Sequence, residues 1–525
     1  MTQAAARTTS RQTVRGCWES RVDAGPDVPF LISDDDVRLT YGEMDRSVNS
    51  IAHGLQAEGV GAGDRVALLL PNGPALLRIQ LALQKLGAVM VPMISGSSHA
   101  EIHYVLNHCR PTHVVAGADA WSAVARGGGI DVQHDLRAYV DGGADGAADT
   151  AVFETGRDDR PEDPGIAPLD PMSIMYTSGS TGRPKGVVQP SIGFLSAGRA
   201  IAARLGATAD DNFFSALPLF HTAATHMLLA PAIACGARFT LVSAFSRGRF
   251  WDQVRASGGT VALLMPAQLS ILMTAEPRPD DRDHPLRVIS SHIRPDAFVE
   301  RFGVDVCTTW SMTETSGIGT LSAPGTTDYR PKMIGTAMSD EAEVKVVGLD
   351  GRPVPPGELG EFCFRHPHVM TGYFEDEANT AAALEDGWVR TGDLCALDEE
   401  GRVYFHGRLK HVIKRAGENI AGEEVEFTLM AHPAVEECVV CGVEDPIYTE
   451  EVHASVVVRE GMQLTPEELT TWCAERLSAF KVPRYVTCRS SAFPRLANGK
   501  TNRRAVNEAV DVAFAWDRRS ERAAS

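Results

Sequence analysis

The stretch Tyr176-Thr-Ser-Gly-Ser-Thr-Gly-Arg-Pro-Lys-Gly186 packs three glycines, four Ser/Thr hydroxyls and two cations into eleven residues. Glycine lets the backbone approach an anion closely, hydroxyls and N–H groups donate hydrogen bonds, and Lys185 adds positive charge, so the loop suits a phosphate. It departs from the nucleotide loop that ends in Gly-Lys-Ser/Thr at a helix start. Other groups are ambiguous on their own. Trp310 in Trp310-Ser-Met-Thr-Glu314 reads as a core aromatic as readily as a stacking surface. Asp393 in Thr391-Gly-Asp393 reads as a turn cap, and Lys500 as a surface charge. Cys438 and Cys441 have the spacing of a metal-ligand pair, but only valines lie between them and no second pair is near, so buried strand thiols are expected.

These groups need elements to hold them. Apolar runs Met172–Met175 and Val187–Val188 flank the glycine-rich loop, which places it between two buried strands. Upstream, a helical pattern over Met44–Glu58, a strand at Val66–Leu70, a helix over Pro74–Leu86 and a strand near Gly87–Pro92 alternate. Near-continuous apolar strands alternating with helices predict layered α/β sheets with parallel pairing. Strand ends are expected at Leu217–His221, Val261–Met265, Val288–Ser291 and Val304–Thr309. From Val344 to Phe364, and again to Arg408, short strands with Gly/Pro turns predict a small β-rich subdomain. Beyond it a helix over Ala421–Met430, strands at Ala434–Gly442 and Val452–Val458, a helix over Pro466–Ser478 and a strand at Val482–Val486 form an α+β unit of ordinary domain size. The expected division is a leader over 1–12, an N-terminal domain over 13–409, a mobile C-terminal domain over 410–512 and a polar tail over 513–525.

The 525 residues carry a net charge of −18, which argues against nucleic acid or an anionic membrane as main partner. The sequence lacks an apolar run near the roughly 20 residues needed to span a bilayer, and its N-terminus lacks a hydrophobic signal core. Ten scattered cysteines without a disulfide pattern fit a reducing cytoplasm.

From Leu39 to Arg504 the chain resembles the adenylate-forming superfamily of acyl- and aryl-CoA synthetases, adenylation domains and luciferases. The resemblance rests on Tyr176–Gly186, Trp310–Glu314, Thr391-Gly-Asp-Leu394, Gly407-Arg408, Gly417-Glu-Asn-Ile420 and Asn498-Gly-Lys500, which occur in the family's order. It implies a two-step reaction. A carboxylate attacks the α-phosphorus of Mg-ATP to give an acyl-adenylate and pyrophosphate, and a thiol, most often coenzyme A, then displaces AMP. The resemblance implies that Thr177, Ser178, Gly179, Ser180, Thr181, Gly182 and Lys185 cradle the β- and γ-phosphates. Glu314, with Thr177, is implied for Mg²⁺, and Thr313 for the α-phosphate. Trp310, replacing the family's usual Tyr, stacks on adenine beside Ser311 and Met312. Asp393 takes the ribose hydroxyls with Arg408 nearby, and Lys500 bridges the reacting carboxylate and the ribose-phosphate oxygens. Lys414, Gly417, Glu418 and Asn419 line the pantetheine tunnel. The Lys500 loop and the Lys414 strand serve different steps, so the C-terminal domain must rotate, with Lys410 at the hinge.

The chain departs from the family where a small Gly/Ala-rich turn usually approaches adenine and it has Ser290-Ser-His292. Ser311 stands for a usual Gly, as does Ala224. His221, Ala224, His226, Ala267, His292, Ser316 and Gly317 outline the expected carboxylate pocket, with His292 either narrowing it, contacting substrate or covering a strand end. The look is closest to crotonobetaine/carnitine-CoA ligase-like acyl-CoA ligases, on Arg415–Ile420 and Ala479-Phe-Lys-Val-Pro483, without implying a carnitine-like acid. Three readings stay open: an acyl- or aryl-CoA ligase, an adenylating enzyme serving a carrier protein, amine or other nitrogen nucleophile, and a non-catalytic nucleotide-binding relative. Coenzyme A and a small carboxylic acid are the expected partners, and a homodimer is allowed.

Overall fold

The computed structural model describes residues 12–125, 136–177, 184–348, 350–415, 418–496 and 499–522. Contacts divide the chain into two compact units, 1–344 with 364–390, and 345–363 with 391–525.

The first unit holds two large sheets with parallel centres. In one of eight strands, Arg65–Leu69 pairs in parallel with both Val89–Pro92 and His113–Ala116. These strands are apolar nearly throughout because helices cover the sheet, as the pattern predicts. The helix over Pro74–Leu86 forms over the expected span, opening on proline and ending at left-handed Gly87 (φ 68°). The preceding helix, Tyr41–Ala57, starts earlier than its apolar pattern suggests, because Thr40 and Glu43 close a capping box.

The nine-stranded sheet runs in parallel from Pro29–Ser33 through Arg238–Leu241, Asn212–Ser215, Val261–Leu263 and Val288–Ser291 to Asp305–Ser311. Phe214, Phe250, Phe298 and Phe302 fill the core on its helix-covered side. Parallel direction has one decisive consequence. The chain leaves four strands at the same edge, where His221, Ala267, His292 and Glu314 follow the four strand ends. Ligands of open parallel sheets bind at that edge.

After His221 comes a helix that the sequence did not announce. Thr222–Ala224 widens into a π-turn over Thr225–Leu229 and tightens again over Ala230–Cys235. Pro231 explains it: proline lacks an N–H and its ring crowds the carbonyl four residues back. The Ala230 N–H reaches Thr225 O instead, and the π-turn absorbs the mismatch.

The second unit is α+β, as expected. Its six-stranded sheet contains the long antiparallel pair Val435–Asp445 and Thr449–Val458, with helices Gly422–Met430 and Pro466–Ala474 packed over a core that includes Ile413, Val425, Val452 and Leu469. Cys438 and Cys441 are strand thiols, both pushed up by burial, Cys441 to about 11. Residues 345–363 and 391–409 fall in this unit, whereas the N-terminal domain was expected to run on to 409. Gly407 lies so close to the helix that an added Cβ would meet Glu423 Oε2, so Val403–Arg408 closes directly on Gly422–Met430. The expected polar tail is anchored: Trp516–Asp517 pairs with Tyr485–Arg489. Glu451, only 1% exposed, draws Arg415 and Arg519 to 2.7 Å, and a buried carboxylate requires such partners. Among the described residues no helix is long and apolar enough to cross a membrane.

Candidate active site

Thr177 and Lys185 face each other as the last pair of the antiparallel strands Pro171–Thr177 and Lys185–Pro190. The glycine-rich stretch is therefore entered from one strand of the eight-stranded sheet and left by its antiparallel neighbour. Its residues Ser178, Gly179, Ser180, Thr181 and Gly182 lie outside the described residues.

Lys185 reaches away from the strand pair. Its Nζ lies 2.5 Å from Asn379 Oδ1 and 5.0 Å from the centroid of the Tyr373 ring. Asn379 is itself fixed, donating its backbone N–H and Nδ2 to the Asp376 carboxylate at 3.1 and 2.7 Å. Those bonds, with Lys185 nearby, hold the Asp376 carboxyl below the usual carboxylate range. Tyr373 donates its O–H to Glu314 Oε1 at 2.9 Å. Burial first, and then Glu314, raises the Tyr373 phenol, so the O–H remains a donor. A cavity of about 220 Å³ opens beside the strand pair, lined by Tyr104, His108, Lys185, Phe374 and Asn379 among others.

Backbone contacts fix the second motif on the first. Gln189, on the second of these strands, donates Nε2 to Thr313 O at 2.9 Å, and the Met370 N–H reaches Glu314 O at 2.9 Å. Glu314 is buried, 8% exposed. Trp310 is 7% exposed, pairs with Thr320 and lies 6.0 Å from the Phe364 ring. Ser311 donates to Met227 Sδ at 3.2 Å, and Met312 opens a tight turn closed by Thr315.

Of the expected carboxylate pocket, His221, Ala267 and His292 are exposed at the sheet edge, and Ala224 is buried. His226 is fully buried against Phe194, ring centroids 5.3 Å apart, and burial lowers its pKa to about 3. Ser316 and Gly317 turn beside it with φ of 54° and 74°. A Cβ at Gly317 would come within 2.6 Å of His226 Cβ, so glycine is what lets the histidine fit.

On the second unit Arg408 lies opposite Asp393 in adjacent strands, its Nε 2.7 Å from Asp393 Oδ1. Asp393 is buried, and the Thr391 hydroxyl donates to Phe362 O at 2.6 Å while accepting the Asp393 N–H at 3.1 Å. Lys500 is exposed in a small hairpin closed by an Arg495–Thr501 bridge, with the Leu496 N–H on Lys500 O at 2.8 Å and Gly499 at φ 76°. The Arg495 fork clamps Glu437 at 3.0 and 2.8 Å. Lys414 is exposed and pairs with Asn419 across a second hairpin. Gly417 and the side chains of Lys410, Glu418 and Asn419 lie outside the described residues.

Tyr373, Asp376 and Asn379 were missed by sequence reasoning. Their significance comes from folding onto Lys185 and Glu314, and nothing in Gly372-Tyr373 or the short helix Glu377–Ala383 announces it. Glu341, His366 and His368 also offer three donor atoms within 4.8 Å. His366 Nδ1 accepts the His368 N–H at 3.1 Å, which puts the ring proton on Nε2, the atom facing Glu341 at 3.8 Å. That tautomer has no lone pair there for a metal.

Similarities to known proteins extend over both units. A family model described as AMP-binding enzyme matches residues 18–374, and one described as AMP-binding enzyme C-terminal domain matches residues 424–500. A crotonobetaine/carnitine–CoA ligase of Salmonella arizonae is 32% identical over 510 residues, covering 93% of this chain and 98% of the relative. Its counterpart in Escherichia fergusonii is 32% identical over 94% of this chain and 99% of its own length. The o-succinylbenzoate CoA synthetase of Bacillus subtilis, solved with its acyl-adenylate intermediate, superposes with a TM-score of 0.82 at 26% identity, covering 94% of this chain and 98% of that one. An anthranilate CoA ligase shares the fold, with a TM-score of 0.85 at 24% identity over 95% and 98% of the two chains.

Proposed function

Because the chain belongs to the AMP-binding enzyme family, as an ATP-dependent, AMP-forming acyl-CoA ligase, we propose that Glu314 and Lys185 on the first unit and Lys500 on the second carry the adenylation step. The activity joins a carboxylic acid to AMP with release of pyrophosphate and passes the acyl group to coenzyme A. A carboxylate is a poor electrophile, and the mixed anhydride supplies a leaving group. Positioning and charge neutralisation carry such transfers.

The contacts running from Lys185 through Tyr373 to Glu314 support this assignment. In our reading the loop from Thr177 to Gly182 and Lys185 hold the β- and γ-phosphates. Thr313 contacts the α-phosphate, and Trp310, with Ser311 and Met312, borders the adenine. Glu314, with one oxygen taken by Tyr373, would hold Mg²⁺ through the other, with Thr177 as a further oxygen donor. The ion would neutralise phosphate charge. Asp393, oriented by Arg408, receives the ribose hydroxyls. Lys500 neutralises the charge that builds as one anion attacks another. The hairpin bearing Lys414, Gly417, Glu418 and Asn419 serves the thiol step, and Lys410 is the hinge between the two arrangements of the C-terminal domain. His221, Ala224, His226, Ala267, His292, Ser316 and Gly317 form the acyl pocket. Ten unpaired thiols support a cytoplasmic location.

Acid-dependent exchange of labelled pyrophosphate into ATP tests the first step across a panel that includes crotonobetaine, carnitine, o-succinylbenzoate, anthranilate and simple alkyl and aryl acids. AMP release with and without coenzyme A, with mass analysis of the product, tests the second. We expect exchange with a subset of the acids and a CoA thioester as product. Exchange without any thioester would overturn coenzyme A as acceptor, and no exchange across the panel would overturn the ligase reading.

A further inference from the structure

His226 is wholly enclosed, yet its Nε2 meets no hydrogen-bonding partner among the described residues. Buried ring nitrogens without partners are uncommon in native proteins and call for a reason. The neighbouring hydroxyl reveals which kind of partner is missing. Thr225 Oγ1 lies 3.1 Å from His221 O, a group that only accepts, so the hydroxyl proton is committed there. The same oxygen lies 2.9 Å from His226 Nδ1 and so accepts the Nδ1–H. The ring proton is held on Nδ1, and Nε2 carries a lone pair.

The surroundings hold a second buried polar group in the same condition. Ser316, a non-glycine residue at φ 54°, also buries an Oγ that meets no partner among the described residues. Ser316, Gly317 and His226 all pack on the first turns of the helix Ser191–Arg204. A Cβ at Gly193 would come 2.8 Å from Ser316 Oγ, and the adjacent Phe194 ring packs edge-on to His226. Glu314 lies two residues before Ser316. The π-turn that presents His226 is a local irregularity of the kind often found at functional sites.

We propose that His226 Nε2 determines acyl specificity by accepting a hydrogen bond, so that the acid this enzyme activates bears an uncharged O–H or N–H donor on its acyl part. The proposal rests on the ligase reading above and names its substrate class: hydroxy- or amino-substituted carboxylic acids. An ether, a methyl group, a second carboxylate or a quaternary ammonium offers no proton to this nitrogen. A site built around a hydrogen bond discriminates strongly against analogues that lack it, because its own polar atom is then left bare.

Matched acids test it. Hydroxy- and aminobenzoates are compared with their methoxy, methyl and unsubstituted counterparts, and hydroxybutanoates with methoxybutanoates and butanoate, in pyrophosphate exchange and thioester formation. We expect at least one donor-bearing acid to exceed its matched counterparts by about a hundredfold in kcat/KM. In His226→Leu that ratio collapses below about threefold, and His226→Gln, which retains an accepting oxygen, recovers part of it. A wild-type preference for acids without a donor, or a ratio unchanged in His226→Leu, overturns the inference and leaves the ligase reading intact. Absence of exchange with every acid overturns both. Nitrogen NMR of the ¹⁵N-histidine-labelled wild-type protein, with the His226 signal identified by its loss in His226→Gln, reads the tautomer without relying on activity. A proton on Nδ1 with a bare Nε2 supports the proposal, and a proton on Nε2 overturns it.

Discussion

At the scale of single residues the sharpest expectations attach to Lys500 and Tyr373. An ammonium about 4 Å from a developing anion at intermediate dielectric contributes on the order of 4 kcal/mol, about a thousandfold in rate. Lys500→Ala should therefore leave ATP binding nearly intact and cut pyrophosphate exchange by about that factor. Unimpaired exchange in this variant would remove Lys500 from the adenylation step. Tyr373→Phe removes one hydrogen bond to a buried carboxylate, an interaction of about 1.5–3 kcal/mol, and lets Glu314 swing from its set position. The Mg²⁺ concentration for half-maximal exchange should rise about tenfold, measured by titrating the metal at saturating ATP. Lys500 and Glu314 stand out as candidates in the sequence because each lies inside a short motif. Tyr373 does not, because its chemistry consists of touching residues that only folding brings near.

At the scale of elements, a candidate group and the element that aims it are distinct. Lys500 sits on a hairpin held from outside by the Arg495–Glu437 fork. Arg495→Ala should loosen the hairpin and lower the adenylation rate by about tenfold, the effect of roughly 1.4 kcal/mol of lost positioning. Transfer to coenzyme A from preformed acyl-adenylate should proceed at the wild-type rate, which single-turnover measurements of the two steps would separate. Equal losses in both steps would instead mark a general structural role for Arg495. Helices and strands with long patterns were legible in advance, as Pro74–Leu86 illustrates, because caps and periodicity are local signals. The π-turn at Thr225–Leu229 was not, although Pro231 is its cause, since a proline signals a break without saying how neighbouring turns will absorb it.

At the scale of the whole molecule, neutral buried histidines in both units, His226 and His366 in the first and His453 in the second, make acid the common stress. Burial lowers His226 to about 3 and His453 to about 4, below the unfolded value of 6.5. Their folded pKa values are depressed, so the stabilisation is complete above pH 6.5 and is lost as pH falls toward those values. Each ring should remove about 1.4 kcal/mol per pH unit over that window. Melting midpoints of both units should decline between pH 6.5 and 4.5, and a flat profile there would mean that these rings are solvated in the native state. By itself the sequence determined the α/β class, the order of motifs and the chemistry of adenylation. Apolar periodicity, caps and glycine-rich turns are written locally, and the motif residues lie close together along the chain. Tertiary structure alone decided that Tyr373 joins Lys185 to Glu314, that Glu451 ties down the C-terminal residues, and that Thr225 sets the proton on His226. Each of these depends on hydrogen-bond partners or burial that exist only once distant or differently oriented segments are packed together.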